Sequence, residues 1–325
     1  MIILDVDPGI DDSLAILLAL KANLNVVGIT VSSGNVEVNQ GSINAIKACE
    51  MAGKTIPVYK GAKKPLFKEY IDATDTHGSD GLSGMYYSVK SKAHDGAIDF
   101  ILETIKKNPH QVTLVAMGPL TNVALAIQKD HETMKLLKEL LVMGGAAKIH
   151  GNCSPVAEYN FWGDPEAAKQ VFNANLPNVT VAGLDVTYDI LFSPNMREMV
   201  RQFGGELSEY VYNITQFYVD FHWAQERTLG CIINDPLLVA YVIDRSIMKS
   251  YKCSIDIETS GICVGESVVG FDIPEGYREK YPYNAKMCME VDKVKFFDLF
   301  FETIFKEHLE DYRLMKKRGY ILCEK

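Results

Sequence analysis

Ile2-Ile3-Leu4-Asp5-Val6-Asp7-Pro8-Gly9-Ile10-Asp11-Asp12-Ser13-Leu14-Ala15-Ile16, residues 2–16, is the stretch that decides the fold. Its apolar run Ile2-Ile3-Leu4 has the character of a short buried strand, which Pro8-Gly9 end in a turn. From Ser13 onward the continuous apolar run of good helix formers predicts a buried helix. Four carboxylates, Asp5, Asp7, Asp11 and Asp12, fall within eight residues, three of them at or just after the strand's C-terminal end. Open α/β sheets hold their ligands there. Capping and dipole complementation at a helix N-terminus account for Asp11 and Asp12 but not for four acids. Carboxylates this close repel unless a cation or a shared proton neutralises them, and hard oxygen ligands suit Ca²⁺ or Mg²⁺. A metal site is therefore expected here.

Working outward, residues 26–31 are a second, β-branched strand followed by Ser32-Ser33-Gly34-Asn35, and a helix runs from near Asn39. This is a βαβ unit, whose right-handed crossover lays the two strands parallel. Asn35 then falls near the acids, as a turn former or as a ligand contact. Residues 56–59 form a third strand, and 60–96 are a long, mostly irregular segment of the kind that is functional or disordered. His77 lies in it between Thr76 and a run of glycines, which makes it either a site residue or plain surface. A helix at 97–107 leads to a buried strand at 112–117, where Met117 offers a backbone carbonyl. Gly118-Pro119 open the next helix.

The strand at 140–143, ending in Gly144-Gly145, repeats the pattern, and the loop at 151–163 carries Asn152, Glu158 and Asn160. Asp164, before Pro165 and Glu166, reads as a helix cap. After a strand at 179–184, a long helix near 206–227 puts Tyr218 and His222 on one face, through packing or function. Asp235, followed by Pro236, caps the helix at 234–243, and capping does not exclude ligation. Residues 255–289 alternate as strands do, and 293–318 predict a terminal amphipathic helix.

A chain of 325 residues, 47% hydrophobic, can bury a large core, and no linker, low-complexity run or repeat divides it. One α/β domain over residues 1–325 is expected. The net charge of −9 argues against nucleic acid or an anionic membrane as partner, and no apolar stretch is long enough to span a bilayer. The N-terminus enters its first strand without a basic leader, so no export signal is expected. Seven scattered cysteines without a CxxC pair read as reduced thiols in the cytoplasm.

Asp5-Val6-Asp7-Pro8-Gly9-Ile10-Asp11-Asp12 resembles the opening of the nucleoside hydrolases, which cleave the N-glycosidic bond of ribonucleosides. Further motifs follow in the family's order: Ser33-Gly34-Asn35, Thr76-His77-Gly78, Gly118-Pro119-Leu120-Thr121-Asn122, Met143-Gly144-Gly145, Glu158-Tyr159-Asn160 with Asp164-Pro165-Glu166-Ala167, and Asp235-Pro236. The resemblance spans at least residues 1–240. It implies a Rossmann-like, open, mostly parallel sheet flanked by helices, and a homo-oligomer, tetramer or dimer. It implies Asp7, Asp12, the carbonyl of Met117 and Asp235 as ligands of one Ca²⁺. Asp11, Asn35, Asn152, Glu158 and Asn160 match the ribose contacts, with Met143 and Tyr159 beside them. It also implies that Asp7 takes a proton from the attacking water, and that the transition state has oxocarbenium character stabilised by surrounding carboxylates.

The sequence departs from the pattern where many members have a histidine that protonates the leaving base: the residue before Asp235 is Asn234. An Asn donates a hydrogen bond but not a proton. His222, with Tyr218 as a hydrogen-bonding relay, or His77 then supplies the acid. The tryptophans that sandwich the base in purine-specific members are missing at 77 and 234, which points to pyrimidine or broad specificity. Two rival readings are a nucleoside-binding sensor that has lost its acid, motivated by Asn234, and a haloacid-dehalogenase-type phosphotransferase with Asp5 as nucleophile.

Overall fold

The computed structural model describes residues 1–321; Cys323, counted above among the thiols, lies outside them. The first strand, β1 (Ile2–Val6), is buried along its whole length, as a strand flanked on both sides must be. Helix α1 (Ile10–Lys21) starts three residues before the sequence signal and takes Asp11 and Asp12 into its first turn. Its residues from Ile10 to Leu20 are all buried, which explains the unbroken apolar run. Next come β2 (Val26–Val31), α2 (Val38–Met51) and β3 (Val58–Lys60).

The segment read as irregular holds the one-turn helix α3 (Thr74–His77) and the two-residue strand β4 (His94–Asp95), which pairs with β3. The chain continues through α4 (Ala97–Lys107), β5 (Thr113–Ala116), α5 (Thr121–Lys129), α6 (His131–Met134) and β6 (Glu139–Met143). Then follow α7 (Tyr159–Gly163), α8 (Pro165–Asn173), β7 (Val179–Ala182) and α9 (Leu184–Thr187). A small hairpin, β8 (Leu191–Phe192) with β9 (Cys231–Ile232), encloses α10 (Pro194–Phe203) and α11 (Gly205–Glu226). After α12 (Asp235–Ile243) come β10 (Met248–Ile257), β11 (Ser267–Gly270) and β12 (Ala285–Val291).

The expected terminal helix over 293–318 is broken into α13 (Lys293–Ile304) and α14 (Leu309–Lys317). Unbroken, it would hold Phe301 and Tyr312 about 16 Å apart along its axis. Instead the chain turns at the buried Phe305, and the two rings stack with centroids 4.7 Å apart. Burying the large Tyr312 ring outweighs one unbroken turn of helix.

Ten strands form one sheet in the order β11-β10-β12-β7-β6-β5-β1-β2-β3-β4. The eight from β12 to β4 run parallel, and β10 pairs antiparallel with both β11 and β12. Two apolar cores lie on its opposite faces. One includes α1, α2, α12 and α13, the other α4, α5 and α8. Because β1 pairs with β2 on one side and β5 on the other, the strand order reverses between β1 and β5. A crevice opens at the C-terminal ends of the strands at such a reversal. Asp7 follows β1 and Met117 follows β5, and the Met117 amide donates to the Asp5 carbonyl at 2.8 Å.

Candidate active site

The tight turn after β1 forces Asp7 into close quarters. A Cβ on Gly118 would come within 2.5 Å of Asp7 Oδ1, and one on Gly34 would collide with Asp7 Oδ2, so only glycine fits at either motif position. Asp7 Oδ2 accepts the Asn35 amide at 2.8 Å, while Oδ1 is buried without a hydrogen-bond partner. Asp12 Oδ1 accepts the Asp7 amide at 3.2 Å, and its Oδ2 accepts the Gly9 amide at 3.0 Å and Asn35 Nδ2 at 3.1 Å. Asp11, Asp12 and Asp235 have carboxylate oxygens within 4.8 Å of one another. Asp11, rather than the Asp7 expected from the sequence, completes that triplet.

Burial, reinforced by Asp12, raises the Asp7 pKa well above the usual carboxylate range. The same cause, reinforced by Asp11, pushes Asp12 to about 7. Asp235 is raised well above its ordinary value by burial and by Asp11, Asp12 and Asp7. Glu158 is pushed by burial to about 7 although three main-chain amides, of Gly145, Asn160 and Phe161, donate to it. Protein groups alone do not neutralise this cluster. The orphaned Asp7 oxygen and an all-oxygen donor set both fit a hard dication.

These groups meet at a cavity of about 570 Å³. Of the sequence-derived ribose contacts, Asp11, Asn35, Asn152, Glu158 and Asn160 line it together with Met143, Tyr159, Met117 and Asp235. Asp7 and Asp12 are not in the lining and stand behind it through their bonds to Asn35. Asn160 Nδ2 donates to the carbonyls of Met117 at 2.7 Å and Met143 at 3.2 Å. Tyr159 commits its hydroxyl to the Ile71 carbonyl at 3.1 Å. Asn152 is exposed and accepts the Tyr159 amide at 2.9 Å. Asp164 caps α8 as expected, accepting the Ala167 amide.

The other end of the cavity carries His77, Tyr218, His222 and Asn234. Surface is the wrong reading for His77, because the glycine-rich loop folds inward and leaves its side chain 4% exposed. Its ring centroid lies 4.9 Å from that of Tyr218, which lies 4.5 Å from that of His222. Asn234 Nδ2 donates to Asp11 Oδ2 at 3.2 Å and to the Tyr218 hydroxyl at 3.3 Å. A carboxylate only accepts, which fixes the orientation of that amide.

The two histidines are held in opposite tautomers. His77 Nδ1 receives the Ile10 amide at 3.2 Å and must be unprotonated there, which places its proton on Nε2. His222 Nδ1 faces the Tyr218 carbonyl at 2.7 Å and must carry the proton, which leaves Nε2 free to bind and release a second one. Burial lowers the pKa of both.

Sequence reading missed Tyr188, His150, Phe221 and Glu226, which also line the cavity. Tyr188 ends the one-turn helix α9 that follows β7 and carried no signal of its own, whereas Phe221 follows Tyr218 at helical spacing and so carried a positional one. Six acids, Asp11, Asp72, Asp75, Glu158, Glu226 and Asp235, line the cavity with no Lys or Arg among the described lining residues. Such a site favours neutral or cationic ligands over anionic ones. Asp5, the nucleophile of the phosphotransferase reading, is fully buried between Thr30 and Asn122 and does not line the cavity. Among the described residues no helix is long and apolar enough to cross a membrane.

Over residues 2–298 the chain matches the family model described as inosine-uridine preferring nucleoside hydrolase. It is 36% identical to the inosine-uridine preferring nucleoside hydrolase of Leishmania major, over 93% of this chain and 96% of that one. It is 35% identical to the pyrimidine-specific ribonucleoside hydrolase of Salmonella arizonae, over 93% of this chain and 97% of that one. A solved purine-preferring ribonucleoside hydrolase from Gardnerella vaginalis superposes with a TM-score of 0.87 at 30% identity, over 95% of this chain and 99% of that one.

Proposed function

The chain belongs to the inosine-uridine preferring nucleoside hydrolase family and is a ribonucleoside N-glycosidase, and from that premise we propose that it hydrolyses pyrimidine nucleosides, alone or within a broader set, with one Ca²⁺ bound. The observation that carries the metal assignment is Asp7 Oδ1, a carboxyl oxygen buried without a hydrogen-bond partner, whose burial beside Asp12 disfavours its ionised form unless a cation is present. Asp7, Asp12, the Met117 carbonyl and Asp235 would hold the ion. Bound there, Ca²⁺ would supply the charge that keeps these carboxylates ionised and makes a nearby water more acidic.

Asp7 takes the proton of the attacking water. Asp11, Asn35, Glu158 and Asn160 grip the ribose hydroxyls, and Glu158 and its neighbouring acids stabilise the positive charge that develops on the sugar. Proton delivery to the leaving base falls to His222 through Nε2. The tautomer argument supports this, since a second proton on His77 would have to displace the Ile10 amide. His77 instead offers a fixed Nε2–H to an acceptor on the base. Asn234, unable to deliver a proton, orients Asp11 and Tyr218.

Names of relatives range from pyrimidine-specific to purine-preferring, so they leave the base open. Support for pyrimidines comes from His77 and Asn234, the two positions at which the family resemblance would place base-sandwiching tryptophans, although Trp162 does line the cavity. The acidic lining favours nucleosides over nucleotides. The six described cysteines are free thiols, which accords with a cytoplasmic setting, and a homo-oligomer is the assembly the family resemblance implies. The test is ribose release from uridine, cytidine and inosine, with Ca²⁺ and after EGTA. Ribose from uridine that stops on chelation is expected. Binding of all three without ribose release would leave the nucleoside-sensor reading in its place.

A further inference from the structure

Ser83 stands six residues after His77, at a backbone φ of +63°, and bonds to both histidine-bearing elements at once. Its amide donates to the His77 carbonyl at 2.9 Å. Its hydroxyl reaches sideways into the middle of α11, donating to the Ile214 carbonyl at 2.5 Å and accepting the Phe217 amide at 3.3 Å. Tyr218 is the next residue of that helix, and His222 lies one turn further on. Side chains that enter a helix's own hydrogen-bond ladder fix or bend it locally.

The loop carrying Ser83 is itself rigidly held. Asp80, 1% exposed, accepts the amides of Leu82 at 2.8 Å, Gly84 at 2.7 Å and Tyr86 at 2.5 Å. Asn44 Nδ2 ties the Asp80 carbonyl, at 2.7 Å, to the Pro8 carbonyl, at 2.9 Å, and so to the turn that follows Asp7. A path of hydrogen bonds made by the side chains of Asn44, Asp80 and Ser83 to main-chain groups therefore runs from the acid turn through this loop to the helix face that presents Tyr218 and His222.

We propose that Ser83 is a positioning residue for leaving-group protonation, its hydroxyl setting the rotation and height of α11 so that His222 Nε2 meets the base that His77 holds. The inference rests on the assignment of His222 as the proton donor. It makes Ser83 matter for one step only. A displaced donor slows protonation of a poor leaving group, whereas attack on a riboside whose leaving group departs unprotonated proceeds as before.

The test compares Ser83→Gly, which keeps the left-handed backbone without strain, with Ser83→Asn, which restores both donor and acceptor. Each is assayed on uridine and on 4-nitrophenyl riboside, alone and combined with His222→Ala. Loss of one positioning contact predicts about a tenfold fall in kcat on uridine for Ser83→Gly, with KM and nitrophenyl turnover unchanged and partial rescue in Ser83→Asn. With His222 already replaced, Ser83→Gly should cost nothing more on uridine. An equal fall on both substrates, or a full additional loss in the His222→Ala background, overturns the proposal by showing general damage to packing. Unchanged uridine turnover in Ser83→Gly overturns it while leaving the donor assignment standing. Should His222→Ala itself spare uridine, the donor assignment falls, and this inference with it.

Discussion

Stripping divalent cations from the protein should make its stability fall as pH rises from about 5 to 8, the reverse of the acid lability usual for carboxylates held by salt bridges. The cause is the buried cluster of Asp7, Asp12, Asp235 and Glu158, all raised by burial, with Asp12 and Glu158 at about 7. A carboxyl whose folded-state pKa lies above its unfolded value holds a proton that it gives up on unfolding. That contribution is complete below the unfolded value near 4 and is lost as pH rises through the folded value near 7. Ionising Asp12 or Glu158 in the folded state costs on the order of 3–4 kcal/mol each, at 1.36 kcal/mol per pKa unit. Mutual coupling means the costs do not simply add.

Ca²⁺ bound as proposed would oppose this trend, because it would bind the ionised cluster. At one hundred times its Kd it contributes about 2.7 kcal/mol. Urea unfolding midpoints at pH 5.5 and 8, with EGTA and with excess Ca²⁺, measure both effects. The metal-free midpoint should drop with pH, and the gain from Ca²⁺ should be larger at pH 8. A metal-free midpoint that rises with pH, or a Ca²⁺ gain equal at both pH values, would refute the account of this cluster.

Asp7→Ala should abolish hydrolysis and Ca²⁺-dependent stabilisation together, read by ribose release and by thermal unfolding; near-normal turnover would remove Asp7 from the mechanism. The proposed grip of Asp11, Asn35, Glu158 and Asn160 on the ribose predicts that deoxyuridine loses on the order of 10³-fold or more in kcat/KM against uridine, since buried polar groups go unpaired. His222→Ala should lower kcat on uridine by about 10²–10⁴-fold and spare 4-nitrophenyl riboside. Because burial lowers the His222 pKa, the protonated fraction of the wild type grows as pH falls, so its uridine kcat should climb toward acid below pH 6.5 wherever protonation limits the rate. His77→Ala orphans the Ile10 amide and should cost about 1–3 kcal/mol of stability by urea denaturation, and by removing the Nε2–H offered to the base it should impair uridine more than 4-nitrophenyl riboside.

Much of this protein is local and therefore legible in its sequence. The alternation of β-branched runs with helical ones identified the βα units, and four acids in eight residues marked the turn after β1 where buried carboxylates crowd together. Asp164 could be placed as a helix cap because an acid before proline is a capping signal read within one turn; for Asp235 the same signal found the helix start but not the cap, since Asn234 takes the cap position and Asp235 is the first helical residue. Such signals depend on backbone dihedrals and on neighbours a few residues away. Tertiary structure decided everything that rests on which strands lie side by side. The pairing of β1 with β5 brings Met117 beside the acid turn across more than a hundred residues, and no periodicity encodes that adjacency. The break in the terminal helix came from the packing of Tyr312 on Phe301. The histidines show the division most clearly: the sequence nominated His77 and His222 as equals, and only the Ile10 amide against one ring and the Tyr218 carbonyl against the other gave them different protons. A tautomer is set by the partner a ring nitrogen meets in space, and for His77 that partner lies 67 residues away in the chain.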